Sequence, residues 1–129
     1  MQRTFGRAIA LTVEGDVKPW VLPESESIPI ALTINELLTN AIKHSKDAGS
    51  EVRCVLACND DGVRLTISNS GILGPDFKLA RIPGGVSGLG LVRALMPRRS
   101  ATLSIEQQGP NVLATVTLVP PGVARWAAP

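Results

Sequence analysis

Hydrophobic and polar residues alternate along five stretches of the chain, and this pattern predicts β-strands. The first stretch covers residues 7–17, and the next two, residues 51–58 and 63–69, flank an Asn-Asp-Asp-Gly turn. The last two, residues 101–108 and 112–120, are separated by a Gly-Pro-Asn turn. Because short polar turns between alternating segments are typical of β-hairpins, we expect four of the five strands to form two hairpins.

A different pattern, with apolar residues at every third or fourth position, predicts a long helix over residues 28–45. The polar loop before it offers Ser25 and Ser27 as candidate caps of the helix N-terminus. Pro29 is compatible only with the first turn, where its missing N–H removes no intrahelical hydrogen bond. We therefore expect the helix to begin close to Ile28.

A glycine-rich segment, residues 70–90, lies between the two hairpins and holds six glycines and two prolines. A loop of this length is uncommon in a compact domain and is usually functional or mobile. A short helix follows from Gly88 and is ended by Pro97. This order of elements predicts an α+β fold, in which helices cover one face of a mixed, mainly antiparallel sheet.

The composition agrees with one compact domain. The chain has 129 residues, 44% of them hydrophobic and 19% charged, and we expect a domain over residues 1–120 followed by a disordered tail, residues 121–129. A net charge of +2 gives no reason to expect nucleic acid as a partner. No apolar run approaches the roughly 20 residues of a membrane span, so we expect a cytoplasmic domain without membrane contact.

Cys54 and Cys58 are the only cysteines in the sequence. On a strand their Cα atoms would lie about 13 Å apart, which is too far for a disulfide. No second pair of ligands accompanies them for a metal site, so we expect both to be small buried hydrophobic side chains.

Four polar side chains share one face of the long helix, within the Asn-Glu-Leu-Leu-Thr-Asn-Ala-Ile-Lys-His sequence of residues 35–44. At 100° per residue, these four fall within a sector of about 100°: Glu36, Asn40, Lys43 and His44. An ordinary solvated face has the same spacing, although Asn40 is a poor helix former for such a face. The alternative is a common ligand, since carboxylate and amide oxygens beside an ammonium group suit a nucleotide with its Mg²⁺.

The start of the short helix is a second candidate binding element. Gly88 and Gly90 let a ligand approach the backbone, and the free N–H groups of a helix N-terminus favour anions. A flexible loop before an ordinary helix would have the same composition. A Walker A loop is excluded because Leu91 stands where lysine is required, and a serine–histidine triad would have to use His44 without a marked serine.

Three segments in this order resemble the ATP-binding domain of bacterial sensor histidine kinases, within the GHKL ATPase superfamily. Residues 35–44 resemble the N box, residues 84–96 the G2 box with its helix, and residues 67–71 the G1 box. The resemblance implies a two-layer α/β sandwich that binds ATP and Mg²⁺ and donates the γ-phosphoryl group to a histidine. The only histidine here is His44, so the acceptor would lie on a separate dimerisation segment, and a response regulator would act downstream.

The resemblance also implies roles for individual residues. Asn40 would bind Mg²⁺, and Glu36 would have the catalytic role beside it. Lys43 and His44 would lie near the phosphates and take part in catalysis. Residues 72–86 would form the mobile ATP lid. Phosphate would be held by the backbone of Ser87, Gly88, Leu89 and Gly90.

The G1 box departs from the family pattern. Asn69 stands where the family has an aspartate that accepts a hydrogen bond from the adenine amino group, and Leu73 replaces the second glycine, although Gly71 is kept. The Asn69 side chain offers a carbonyl acceptor without the charge, so we expect weaker adenine binding. These departures give one alternative, a degenerate module of the same fold that acts through protein interactions. A second alternative is a serine kinase of the anti-sigma-factor type, which shares the fold and needs no histidine in the same chain.

Overall fold

The computed structural model describes residues 2–4, 7–16, 19–45, 51–75, 77–82, 84–85, 88–96 and 100–125. Its elements in chain order are β1 (Gln2–Thr4), β2 (Arg7–Glu14), β3 (Trp20–Val21), α1 (Glu24–His44), β4 (Val52–Cys58), β5 (Val63–Ser70), a 3-10 turn (Leu79–Arg81), α2 (Gly88–Leu95), β6 (Ala101–Gln108), β7 (Asn111–Leu118) and β8 (Ala124–Arg125). All five predicted strands and both predicted helices are present. The short strands β1, β3 and β8 were not predicted.

The main sheet has six strands in the order β1-β2-β4-β5-β7-β6. Strands β2 and β4 are parallel, and every other neighbouring pair is antiparallel. A parallel pair needs a crossover, which α1 supplies between these two strands. The two predicted hairpins are β4–β5 and β6–β7, so the mixed, mainly antiparallel sheet is confirmed.

The hydrophobic core lies between the sheet and the two helices. Leu37, Ala41 and Ile42 of α1 are buried in one cluster with Val92 of α2 and Ile67 of β5. The predicted apolar half of the long helix thus faces the sheet, and the two-layer α/β sandwich is confirmed. Within the described part of the chain, no helix is long and apolar enough to cross a membrane.

Both cysteines are free and buried, as the sequence predicts. Burial raises the pKa of the Cys54 thiol. Burial also raises the pKa of the Cys58 thiol, and the negative charge of Asp16 adds to the effect. Since the thiolate is the reactive form, neither side chain is suited to nucleophilic chemistry at neutral pH.

Helix α1 begins earlier than predicted, at Glu24 instead of Ile28, so Pro29 lies inside the helix and not in its first turn as expected. The prediction that Ser25 or Ser27 caps the helix is wrong, because Pro23 is the N-cap residue and no side chain caps the N-terminus. The N–H groups of Glu26 and Ser27 both donate to the carbonyl of Pro23. The acidic side chains of the first turn favour this start because they complement the helix dipole.

Residues 121–125, which were expected to belong to a disordered tail, lie against the rest of the domain. Strand β8 pairs with β3, Val123 is buried, and the Arg125 guanidinium lies 5.2 Å from the centre of the Trp20 ring. The Trp20 indole N–H in turn donates to the carbonyl of Asn59 at 3.2 Å. Apolar burial and a cation–π contact therefore hold this segment against the β4–β5 turn. Residues 126–129 lie outside the described part of the chain.

Candidate functional site

One cavity at the end of β5 gathers residues from five parts of the chain. It has a volume of about 240 Å³, and its lining comes from α1, β5, the glycine-rich segment, α2 and β7. The lining residues are Asn40, His44, Asn69, Gly71, Ile72, Leu73, Gly74, Phe77, Leu89 and Val112. Segments that are far apart in the sequence, and that the sequence singled out separately, therefore meet at one place.

Helix α1 directs its polar face toward this cavity and toward α2. Asn40 and His44 lie one turn apart and both line the cavity. Glu36 lies one turn closer to the N-terminus, and its Oε2 accepts a hydrogen bond from the backbone N–H of Gly88 at 3.2 Å. Lys43 is exposed and does not belong to the lining. The helix thus places an imidazole, an amide and a carboxylate in a row that leads from the cavity to the start of α2.

Asn69 is a buried amide near the end of β5, with 7% of its surface exposed. Its Nδ2 donates to the carbonyl of Ser70 at 2.9 Å, and within the described residues no hydrogen bond reaches its Oδ1. Its cross-strand neighbour Val112 has no polar side-chain atom to offer. Since Asn69 lines the cavity and its Oδ1 is an unused acceptor within the described residues, it suits a ligand that brings an N–H group into the cavity.

Gly71 allows close packing in the cavity wall. A Cβ atom at this position would lie 3.2 Å from the carbonyl oxygen of His44 and 3.2 Å from Nδ2 of Asn69. The Gly71 N–H donates to the carbonyl of Pro110 at 3.0 Å. The absence of a side chain thus lets the end of β5, the end of α1 and the β6–β7 turn approach one another.

Three residues of the site and its surroundings were not singled out in the sequence. Two of them, Phe77 and Val112, line the cavity, and Gln107 supports it from outside the lining. Phe77 and Val112 add apolar surface to the cavity, which is what most of a ligand's area contacts in a binding pocket. Val112 follows from strand register only once the pairing of β5 with β7 is known, because Asn69 and Val112 belong to different hairpins. Phe77 and Gln107 carry no periodic pattern that would have marked them.

The start of α2 lies beside the cavity. Gly88 begins the helix with a positive φ of 59°, a conformation that glycine adopts without strain. Leu89 lines the cavity, and the carbonyl of Gly90 accepts a hydrogen bond from the N–H of Gly85 at 2.8 Å. Ser87 lies outside the described residues. The N–H groups of this helix start favour an anion, and the Glu36 carboxylate now occupies part of that position.

The donor set fits a magnesium nucleotide. Mg²⁺ prefers oxygen ligands and keeps waters and substrate phosphates in its coordination shell. Asn40 and Glu36 offer an amide oxygen and a carboxylate between the cavity and α2. Within the described residues, no group of three or more His, Cys, Asp or Glu side chains is placed to hold a metal ion. A metal that shares its shell with phosphate does not need such a group.

Comparisons with known proteins show which fold and family the chain shares. The catalytic domain of histidine kinase ThkA is 20% identical over 86% of this chain and 78% of that chain, with a TM-score of 0.62. The histidine kinase domain of the blue-light activated kinase EL346 from Erythrobacter litoralis is 24% identical over 88% of this chain and 56% of that chain, with a TM-score of 0.62.

ThkA in complex with the response regulator TrrA is also similar, at 17% identity over 88% of this chain and 35% of that chain, with a TM-score of 0.64. Identities this low show the shared fold. No curated protein matches the chain. The model of the histidine kinase-like ATPase domain matches residues 7–116. The chain therefore belongs to the histidine kinase-like ATPase domain family.

Proposed function

We propose that this domain binds Mg-ATP and donates the γ-phosphoryl group to a histidine on a separate segment. The observation that carries the proposal is the extent of the site. The cavity joins an amide acceptor, Asn69 Oδ1, at one end to Asn40 on α1, and α1 leads on to the Glu36–Gly88 hydrogen bond at the start of α2. Mg-ATP needs such groups in this order: an acceptor for the purine, an oxygen ligand for the metal on the triphosphate, and a carboxylate and helix N–H groups beside the reacting terminal phosphate.

The base end of the site recognises adenine in this proposal. The ring lies against the apolar side chains of Phe77 and Val112, and the adenine amino group donates to Oδ1 of Asn69. The Ser70 carbonyl favours this orientation of the amide because it engages Nδ2. Gly71 keeps the wall free of side-chain atoms, and His44 lies between the base end and the phosphates.

The phosphate end holds and activates the triphosphate in this proposal. When bound, Mg²⁺ neutralises charge that develops on the phosphate oxygens. Asn40 is its protein ligand, and Lys43 adds positive charge from the exposed side of α1. Glu36 orients the acceptor histidine and takes up the proton that it loses. Phosphate oxygens accept hydrogen bonds from the backbone of Ser87, Gly88, Leu89 and Gly90.

Transfer breaks the bond between the γ-phosphorus and its bridging oxygen and forms a phosphorus–nitrogen bond to the acceptor imidazole, while ADP leaves. The chain's own His44 lines the cavity, so the acceptor comes from elsewhere. A dimerisation segment that carries the histidine and a response regulator are the proposed partners. The similar kinase ThkA has been solved with a response regulator, TrrA. A cytoplasmic location is part of the same proposal, because ATP is available there.

Calorimetric titration with ATP, with and without Mg²⁺, tests the binding step. The unaltered domain should bind ATP in a Mg²⁺-dependent manner, and Asn40→Ala should weaken binding in Mg²⁺ by roughly tenfold and remove the metal dependence. The matched control is Asn35→Ala, which removes the same amide from an exposed position of the same helix. Unchanged Mg²⁺ dependence in Asn40→Ala would contradict the metal assignment.

A second candidate function is a degenerate module of the same fold that acts through protein interactions. The observation that favours it is the uncharged base end, where Asn69 faces the apolar Val112 across the strands. The same titration separates the two functions. Absence of ATP binding up to millimolar nucleotide, with binding gained in Asn69→Asp, would support the degenerate module and overturn the kinase proposal.

A further inference from the structure

Gln107, the penultimate residue of β6, uses its whole side-chain amide to join two loops. Its Oε1 accepts a hydrogen bond from the backbone N–H of Leu73 at 2.8 Å. Its Nε2 lies 2.9 Å from the carbonyl oxygen of Gly71, 2.9 Å from that of Gly109 and 3.1 Å from that of Asn111. One exposed side chain therefore links the β6–β7 turn to the segment that leaves β5.

The two loops are also joined directly through the backbone. Gly71 donates from its N–H to the carbonyl of Pro110, in the β6–β7 turn. Residues 71–73 therefore run beside the turn with hydrogen bonds at Gly71 N, Gly71 O and Leu73 N. The last two of these bonds depend on Gln107, which is 34 residues from Leu73 in the sequence.

The segment that Gln107 holds is a wall of the cavity. Gly71, Ile72 and Leu73 all line it, and Gly71 lies against Asn69. Gln107 itself does not belong to the lining. Any effect of Gln107 on a ligand must therefore act through the position of this wall.

We infer that Gln107 is a positioning residue for the base end of the nucleotide site, an inference that rests on the proposed function. It fixes the path of residues 71–73, so that Gly71 stays against Asn69 and this wall of the cavity keeps its position. The role needs an acceptor and a donor on one planar group, which glutamine has. Glutamate keeps the acceptor for Leu73 and loses the donors, and leucine loses both.

Two variants and a control test the inference in the full chain. Gln107→Leu and Gln107→Glu are compared with Gln108→Leu, which alters the adjacent exposed residue on the opposite face of β6. Each protein is titrated with ATP and with inorganic tripolyphosphate, which lacks the base. Hydrogen exchange at the Leu73 amide is measured without nucleotide, because it reports on the Gln107 bond directly.

In Gln107→Leu, exchange at Leu73 should accelerate and ATP affinity should fall roughly tenfold, while tripolyphosphate affinity stays within about twofold. Gln107→Glu should keep most of the Leu73 protection and still lose ATP affinity, since its carboxylate faces three carbonyl oxygens. Gln108→Leu should match the unaltered protein in every measurement. An equal loss of ATP and tripolyphosphate binding would indicate a general structural role and overturn the inference.

The inference and the proposed function fail in different ways. If the unaltered protein bound no ATP, the proposed function would fail, and Leu73 exchange would still show whether Gln107 holds the loop. If the unaltered protein bound ATP and Gln107→Leu bound it equally well, the positioning role alone would be overturned.

Discussion

Glu36 on α1 accepts a hydrogen bond from the backbone N–H of Gly88, the first residue of α2, over 3.2 Å. The bond links the two helices at the end of the site where the proposed function places the terminal phosphate. A carboxylate and a phosphate compete for the same N–H group, because both are anions that a helix N-terminus attracts. Glu36 must therefore release Gly88 before that N–H can donate to a nucleotide.

Replacement of Glu36 by glutamine should separate binding from catalysis. Glu36→Gln removes the competing negative charge and the proton acceptor, so ATP should bind with equal or severalfold higher affinity while phosphoryl transfer falls by about 100-fold or more. Calorimetry measures binding, and release of ADP from ATP in the presence of a separate segment that carries the acceptor histidine measures transfer. Glu24→Gln, which makes the same change at the exposed start of α1, should alter neither. A parallel loss of binding and turnover in Glu36→Gln would contradict the assignment.

Replacement of Asn69 by aspartate should raise the affinity for ATP and lower the stability of the domain. A charged acceptor makes a hydrogen bond roughly twice as strong, so Asn69→Asp should raise ATP affinity several fold. The new carboxylate loses the bond from Nδ2 to the Ser70 carbonyl and faces that oxygen instead, which should lower the free energy of unfolding by about 1–3 kcal/mol.

Thermal melting without nucleotide measures the stability loss, and titration measures the affinity. Asn59→Asp is the control, because Asn59 Oδ1 accepts from the N–H groups of Asp61 and Gly62 and aspartate can accept the same two bonds. A stable Asn69→Asp variant with unchanged ATP affinity would show that the amide does not contact the base.

Gly71 and Gly74 provide a matched pair of glycines in the cavity lining. In Gly71→Ala the new methyl group meets the His44 carbonyl and the Asn69 amide at 3.2 Å, whereas in Gly74→Ala it meets no atom within 4 Å. Gly71→Ala should cost about 1–3 kcal/mol of stability and weaken ATP binding, because the wall must move. Gly74→Ala should leave the free energy of unfolding nearly unchanged. Chemical denaturation and ATP titration check the pair, and equal behaviour of the two variants would contradict the packing described.

Val123 tests whether the C-terminal segment is part of the folded unit. Only 3% of its surface is exposed, whereas Val119 is 40% exposed. Val123→Ala should lower the free energy of unfolding by about 1–2.5 kcal/mol, and Val119→Ala by less than about 0.5 kcal/mol. Urea denaturation measures both values. Equal small effects would mean that residues 121–125 contribute little to the fold.

The sequence predicts those elements of the fold in which hydrophobic residues recur at regular intervals. Alternation located both hairpins, and helical spacing placed Leu37, Ala41 and Ile42 on the buried face of α1. Strands β3 and β8 were not predicted, because two residues are too few to show an alternating pattern. Their pairing places Trp20 beside Arg125, although most of the chain separates the two residues. The start of α1 was missed because a backbone carbonyl, that of Pro23, receives the first N–H groups instead of a serine side chain.

In the candidate site, too, the sequence predicts only residues that lie in a regular pattern. The polar face of the long helix, within residues 35–44, indicated Asn40 and His44, and both line the cavity. Strand register, once known, marks Val112. Gln107 could not be found, because its partners Gly71 and Leu73 come near it only when the end of β5 meets the β6–β7 turn. A sequence pattern thus identifies side chains that share one helix or strand. Contacts between the ends of different elements become visible only in the folded structure.

The pairing of β3 with β8 places the C-terminal segment beside the Asn59–Asp60 turn, where the Arg125 guanidinium lies 3.8 Å from the Asp60 carboxylate. Strand β5 runs from this end of the sheet to the cavity, over eight residues, or roughly 20 Å or more. A linker attached after Arg125 would therefore leave the molecule on the side away from the cavity. The domain can be immobilised on a sensor surface by this end, with its cavity open to the solution.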